Sequence, residues 1–275
     1  MATSCDAVDW SPIASAGSHA QLAGVVAGLV FAGIVVILER QGQGRRPAEA
    51  LTLFVAGFFT FALDGFFFGV VAGERTCPRA WTETMIAAGL LGYGALSLFV
   101  GVSWLLYSLD RSSSTPFRVT RVIVYVLAFI VVAQLNATAR DYLRDVRPGG
   151  EFAWLDRVLS IGLVVMTAMI LAHVLLARRL GRWSRRNAAV AAYLAVAYVL
   201  VCAMSFGLLT VVETEYWSAG TKPVVYISAT LVSVMLPTVV VIVHLLALPT
   251  PERPVPAEPP AERPAERPAE SPAER

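Results

Sequence analysis

"LTLFVAGFFTFALDGFFFGVV", Leu51–Val71, decides the fold. Its one charge is Asp64, and six phenylalanines lie between Phe58 and Phe68. A helix of this length is about 30 Å long, the thickness of a bilayer's hydrocarbon core. Its apolar residues surround the helix instead of forming one stripe, as in a segment enclosed by lipid or protein on all sides. The lone carboxylate is the feature that an apolar span does not explain.

The rest of the 275-residue chain has the same character. It is 56% hydrophobic and 15% charged, with a mean hydropathy of +0.64. A soluble domain carries about a quarter charged residues, so the balance is that of a membrane protein. Six further runs match the first: Ala20–Leu38, Met85–Leu106, Val119–Thr138, Val158–Leu176, Ala188–Val212 and Val224–Leu248. Continuous apolar runs of this length exclude outer-membrane strands, which alternate. Lipid leaves backbone groups no partner but their own segment, so the expected fold is an all-α seven-transmembrane-helix bundle. Arg121, early in the fourth run, must extend towards the headgroups.

Arginine placement orients the chain. Three arginines follow the first run (Arg40, Arg45, Arg46), five follow the fifth, and four lie in the tail. Positive loops stay in the cytoplasm, which predicts an outside N-terminus and a cytoplasmic C-terminus. "ARDYLRDVR", after the fourth run, is the exception. Trp10, Trp81, Trp154 and Trp217 fall at the predicted outer boundaries, where an aromatic belt forms. Cys5 and Cys77 fall on the same side and are a candidate disulfide. The first nineteen residues contain Asp6 and Asp9 but no basic residue, unlike a secretory signal peptide. The organisation read is an N-terminal segment over 1–19, a membrane domain over 20–248 and a tail over 249–275. That tail, "PTPERPVPAEPPAERPAERPAESPAER", is expected to be disordered and cytoplasmic, because proline every few residues denies it helix and sheet. It is a candidate docking segment for a cytoplasmic protein. Twenty-one arginines against one lysine, with much alanine and proline, point to a bacterial genome and hence a bacterial plasma membrane.

Other partners follow from charge. Arg178, Arg179, Arg182, Arg185 and Arg186 form a basic loop suited to anionic lipid headgroups. No nucleic-acid-binding module accompanies them. Small residues hold membrane helices together by letting backbones approach. Ala20, Gly24, Gly28 and Ala32 form such a stripe, as do Gly89, Gly92, Gly94 and Gly101, and both are read as packing within the bundle. The sequence leaves the oligomeric state open. Pro237 predicts a kink in the last span, with Ser233 or Thr230 satisfying the loosened backbone.

Asp64 lies seven residues before Val71, about 10 Å from that end of its span. An ionised carboxylate there costs about 2.5–3.5 kcal/mol, so it must face the bundle. Gly57, Thr60 and Asp64 share one helical face, with most phenylalanines turned elsewhere. Depth counting nominates Tyr93, Thr167, Ser205, Thr230 and Ser233 as its layer. The functional reading is transport or permeation of a proton, cation or small polar solute centred on Asp64. The structural reading is a neutral acid hydrogen-bonded between helices. A scaffold or sensor acting through outer loops and tail is the alternative function. His173 and His244 share a layer, but with no third ligand no metal or haem site is expected, and no cofactor. An enzyme lacks its constellation: there is no paired-histidine metal motif, no GxSG nucleophile, and the only lysine, Lys222, precedes the last span.

Overall fold

The computed structural model describes residues 11–41, 48–109, 114–146, 153–180, 184–211 and 223–249, and every regular element among them is helical. The helices are α1 (Pro12–Gln41), α2 (Ala48–Val71), α3 (Cys77–Leu109), α4 (Ser114–Val146), α5 (Ala153–Leu180) and α6 (Ser184–Val211). A composite seventh span joins α7 (Pro223–Thr230) through a π turn (Leu231–Met235) to α8 (Leu236–Leu246). Seven helical stretches are long and apolar enough to cross a membrane, the architecture of a multi-pass membrane protein.

The helices alternate in direction. Gly57 of α2 faces Gly94 and Leu98 of α3, and Thr82 of α3 meets Tyr142 of α4. Tyr125 of α4 meets His173 of α5, and Phe67 of α2 stacks on Phe206 of α6. One end of the bundle, here the amino end, therefore carries the starts of α1, α3, α5 and α7; the other is the carboxyl end. α3 is the central helix: 61% of its most apolar window is buried, against 17% for α5. The core joins Leu53, Phe61, Leu96, Val100, Val132, Met166 and Val241 from five helices.

Capping shifts the first boundary. α1 begins at Pro12, not Ala20, because Ser11 Oγ accepts the Ala14 N–H at 3.3 Å and proline occupies the first helical position. Residues 12–19, read from sequence as part of the N-terminal segment, are thus helix. α4 likewise runs on past Thr138. Its polar extension is paired: Arg140 reaches Asp156 of α5 at 3.2 Å and donates to Ser160 Oγ at 2.7 Å.

Three packing expectations change. The stripe on α1 packs only in part: the backbone of Ala20 and Gly24 approaches Gly65 of α2, while a β-carbon at Gly28 would meet nothing within 4 Å and Ala32 is exposed. α1 buries Ala16, Ala23, Ala27, Val30, Ile34 and Ile37, and its close approach is made by Gly65 of α2, where a β-carbon would lie 3.4 Å from Ala20 O. Trp81 is buried, not part of a surface belt, whereas Trp154 is exposed. At Pro237 the last span widens into the π turn, with Leu236 N–H bonded to Leu231 O. Thr230 Oγ1 is committed to Tyr226 O and Ser233 Oγ has no partner, so neither satisfies the freed backbone. Thr238 Oγ1 donates to Val234 O at 2.5 Å, the carbonyl next to the one that proline frees.

Cys77 is disulfide-bonded, and Cys202 is a free, buried thiol. Cys5 lies outside the described residues, as do Trp10, Trp217, Arg182 and residues 250–275. Arg178 and Arg179 belong to the end of α5 and Arg185 and Arg186 to the start of α6, with side chains outside the described set.

Candidate functional site

The phenylalanines around Asp64 divide by helical phase. Phe59 and Phe66 point outward, while Phe61, Phe67 and Phe68 are buried. Phe67 stacks on Phe206 with ring centroids 4.0 Å apart, and Phe68 stacks on His19 at 4.9 Å. The expectation that most phenylalanines turn away from the acid is therefore corrected. Those one turn towards the amino end help to close the bundle above it, because α2 is enclosed by α1, α3 and α6.

Asp64 has no exposed surface, and among the described residues neither carboxylate oxygen has a hydrogen-bond partner. Buried polar groups are nearly always paired, so two orphaned oxygens on one acid are exceptional. Thr60, one turn away on the same face, has given its only proton to Ala56 O at 2.8 Å. The electrostatic neighbours of Asp64 are Tyr198 and Cys202 of α6. Tyr198 Oη and the Cys202 thiol also interact, but without the geometry of a full hydrogen bond.

Gly89 of α3 makes room for this group. A β-carbon there would collide with Tyr198 Oη and lie 3.3 Å from Ser233 O in the π turn. Nothing larger than hydrogen fits between α3, α6 and the widened last span. The Tyr198 ring then meets Tyr93 edge-on, with centroids 5.7 Å apart. Tyr93 meets His244 of α8, Oη to Nε2, at 3.1 Å. His244 Nδ1 lies 2.9 Å from Val240 O, a carbonyl that only accepts. Nδ1 therefore carries the imidazole proton, and Nε2 accepts from Tyr93 O–H. Ser97 Oγ, one turn beyond Tyr93, donates to Leu53 O at 3.2 Å.

The result is a buried set of proton-bearing groups: Asp64 with Cys202 and Tyr198 as electrostatic neighbours, Tyr198 in ring contact with Tyr93, and Tyr93 hydrogen-bonded to His244. All five are buried, and they come from α2, α6, α3 and α8. The set starts about 10 Å from the amino end and finishes at His244, two residues before the end of α8.

The nominated residues fall into three groups. Asp64 and Tyr93 belong to the set, and Ser233 is buried beside Gly89 with its Oγ unpartnered. Thr230 is buried, but its hydroxyl is spent on its own helix. Ser205 is only half-buried, and Thr167 is exposed and bonded to Leu163 O at 2.8 Å, turned out of the bundle. Tyr198, Cys202 and His244 were not nominated as partners of Asp64. Their signal was present, as a tyrosine one turn before a cysteine on one face of α6 and a histidine in an apolar last span.

A second buried acid was also missed. Glu83 of α3 is fully buried, with Arg79 Nε donating to Oε1 at 2.9 Å, and Arg79 also pairs with Glu74 at 3.2 Å. Among the described residues no group of three His, Cys, Asp or Glu side chains is placed to hold a metal. His173 and His244 are not one site: His173 pairs with Tyr125 and His244 with Tyr93.

The chain matches no protein-family model, no curated protein and no solved structure.

Proposed function

We propose that this protein moves protons across a membrane, alone or coupled to a small polar solute, with Asp64 as the proton-binding group. The observation that carries the reading is the orphaned, fully buried Asp64 carboxyl at the head of the set formed by Tyr198, Tyr93 and His244. A buried acid held for structure has a cation or donor, as Glu83 has Arg79 on Oε1, whereas Asp64 has none on either oxygen among the described residues. Carboxyl, phenol and imidazole each accept or donate a proton, and a rotating hydroxyl passes it between neighbours. Among proton, metal cation and solute, the proton is favoured, because the set mixes carboxyl, phenol, thiol and imidazole and, among the described residues, gathers no cluster of three His, Cys, Asp or Glu around a point.

The same reading sets the chain in a bacterial plasma membrane with its N-terminus outside and its Pro-rich tail in the cytoplasm. His244 then lies on the cytoplasmic side and Asp64 nearer the outside. A Cys5–Cys77 bridge on the oxidising face fits this orientation and the bonded state of Cys77. The basic loop of Arg178, Arg179, Arg182, Arg185 and Arg186 then faces anionic lipid. The test is ion flux in proteoliposomes under imposed proton, sodium or potassium gradients. Acidification that follows the proton gradient alone supports the reading. Flux of sodium or potassium without proton movement overturns it.

A further inference from the structure

Arg121 is a cation inside a membrane-spanning helix. It stands seven residues into α4, about 10 Å from the carboxyl end, with Val119, Val122, Ile123 and Val126 exposed around it. Among the described residues no carboxylate lies within ion-pairing distance of it. Its guanidinium sits over two rings, 5.8 Å from the centroid of Phe117 and 5.9 Å from that of Tyr125. One N–H donates to Tyr125 Oη at 3.1 Å, while Nε is enclosed and has no acceptor. The guanidinium fork offers five N–H donors, so its hydrogen bonding is unfinished.

Tyr125 Oη also lies 3.2 Å from His173 Nδ1 on α5. The phenol oxygen thus joins guanidinium and imidazole, both half-buried where α4 meets α5 with exposed apolar side chains beside them. A half-buried cation fixed by two aromatic faces and a phenol is preorganised for a planar, two-oxygen acceptor.

We propose that this α4–α5 surface binds the phosphate of an anionic phospholipid from the leaflet at the carboxyl end, with Arg121 as the principal contact and Tyr125 and His173 holding it in place. Val122, Ile123 and Val126 on α4, with Met169 on α5, are exposed on the deeper side and supply the apolar wall along which the acyl chains lie. Arginine in place of lysine matters here, because the fork takes two phosphate oxygens at once.

The test is thermal unfolding of the full chain in zwitterionic detergent with phosphatidylglycerol titrated in. Wild type should be stabilised, and the half-saturating concentration should rise about tenfold in Arg121→Gln. Arg121→Lys should fall between the two, keeping charge without the fork. Should Arg121→Gln not fold, Tyr125→Phe gives the same reading at about threefold weaker binding. Arg157→Gln, an exposed arginine at the other end, should leave the titration unchanged. An Arg121→Gln or Tyr125→Phe titration that overlays wild type overturns the site. Inorganic phosphate stabilising as well as phosphatidylglycerol overturns the lipid as its source.

Discussion

Asp64 and Glu83 are both fully buried acids on adjoining helices, and they could hardly be treated more differently. Glu83 is wired: Arg79 donates to it at 2.9 Å and holds Glu74 as well. Asp64 has neither cation nor donor on either oxygen. The register of α2 on α3, with Phe61 and Gly57 against Gly94, sets Asp64 level with the neighbourhood of Gly89. Glu83 then lies about 9 Å nearer the amino end. An acid near the bundle's rim is given its counter-ion and belongs to the fold. The acid deeper in has no counter-ion among the described residues.

Removing the counter-ion of Glu83 should produce the largest effect. Arg79→Ala leaves a buried carboxylate alone and should cost about 3–5 kcal/mol in detergent-based unfolding. Adding Glu83→Gln should recover most of that loss; no recovery would mean that Arg79 acts through Glu74. Next comes the wall of the Asp64 layer. Gly89→Ala drives a methyl into Tyr198 Oη and should cost about 1–3 kcal/mol, with Tyr198→Phe in the same chain relieving part of it. Tyr93→Phe removes the donor to His244 Nε2 and should cost about 1–3 kcal/mol, read by the same unfolding assay. The smallest effect belongs to α1. Gly28→Ala meets open space and should change stability by no more than about 0.5 kcal/mol. A larger loss would mean that this face is covered by a second copy in the membrane.

Hydropathy made the seven spans legible, because length and apolarity are what a bilayer demands of a helix. It also made Asp64 legible as an acid that must face inward. Depth counting recovers the layer of a residue but not its rotation about the helix axis. That is why Tyr93 and Thr167 were nominated together, although one is buried and the other faces out. The same blindness turned Gly28 and Ala32 of the α1 stripe inward, although both are exposed. Glu83 was lost to a boundary: a third span drawn from Met85 leaves the acid outside, whereas the helix starts at Cys77 and buries it. Pro237 announced a distortion, but not that a π turn would precede it.

The central claim is that Asp64 is unpaired because it carries a proton in turnover. The most direct measurement is proton flux in proteoliposomes of wild type and Asp64→Asn, both first shown to unfold within about 1 kcal/mol of each other. An orphaned carboxyl contributes little to folding, so the variant should be as stable as wild type and its flux should vanish. A variant that unfolds more easily by about 3 kcal/mol or more, or one that is stable and conducts protons as wild type does, would contradict the account.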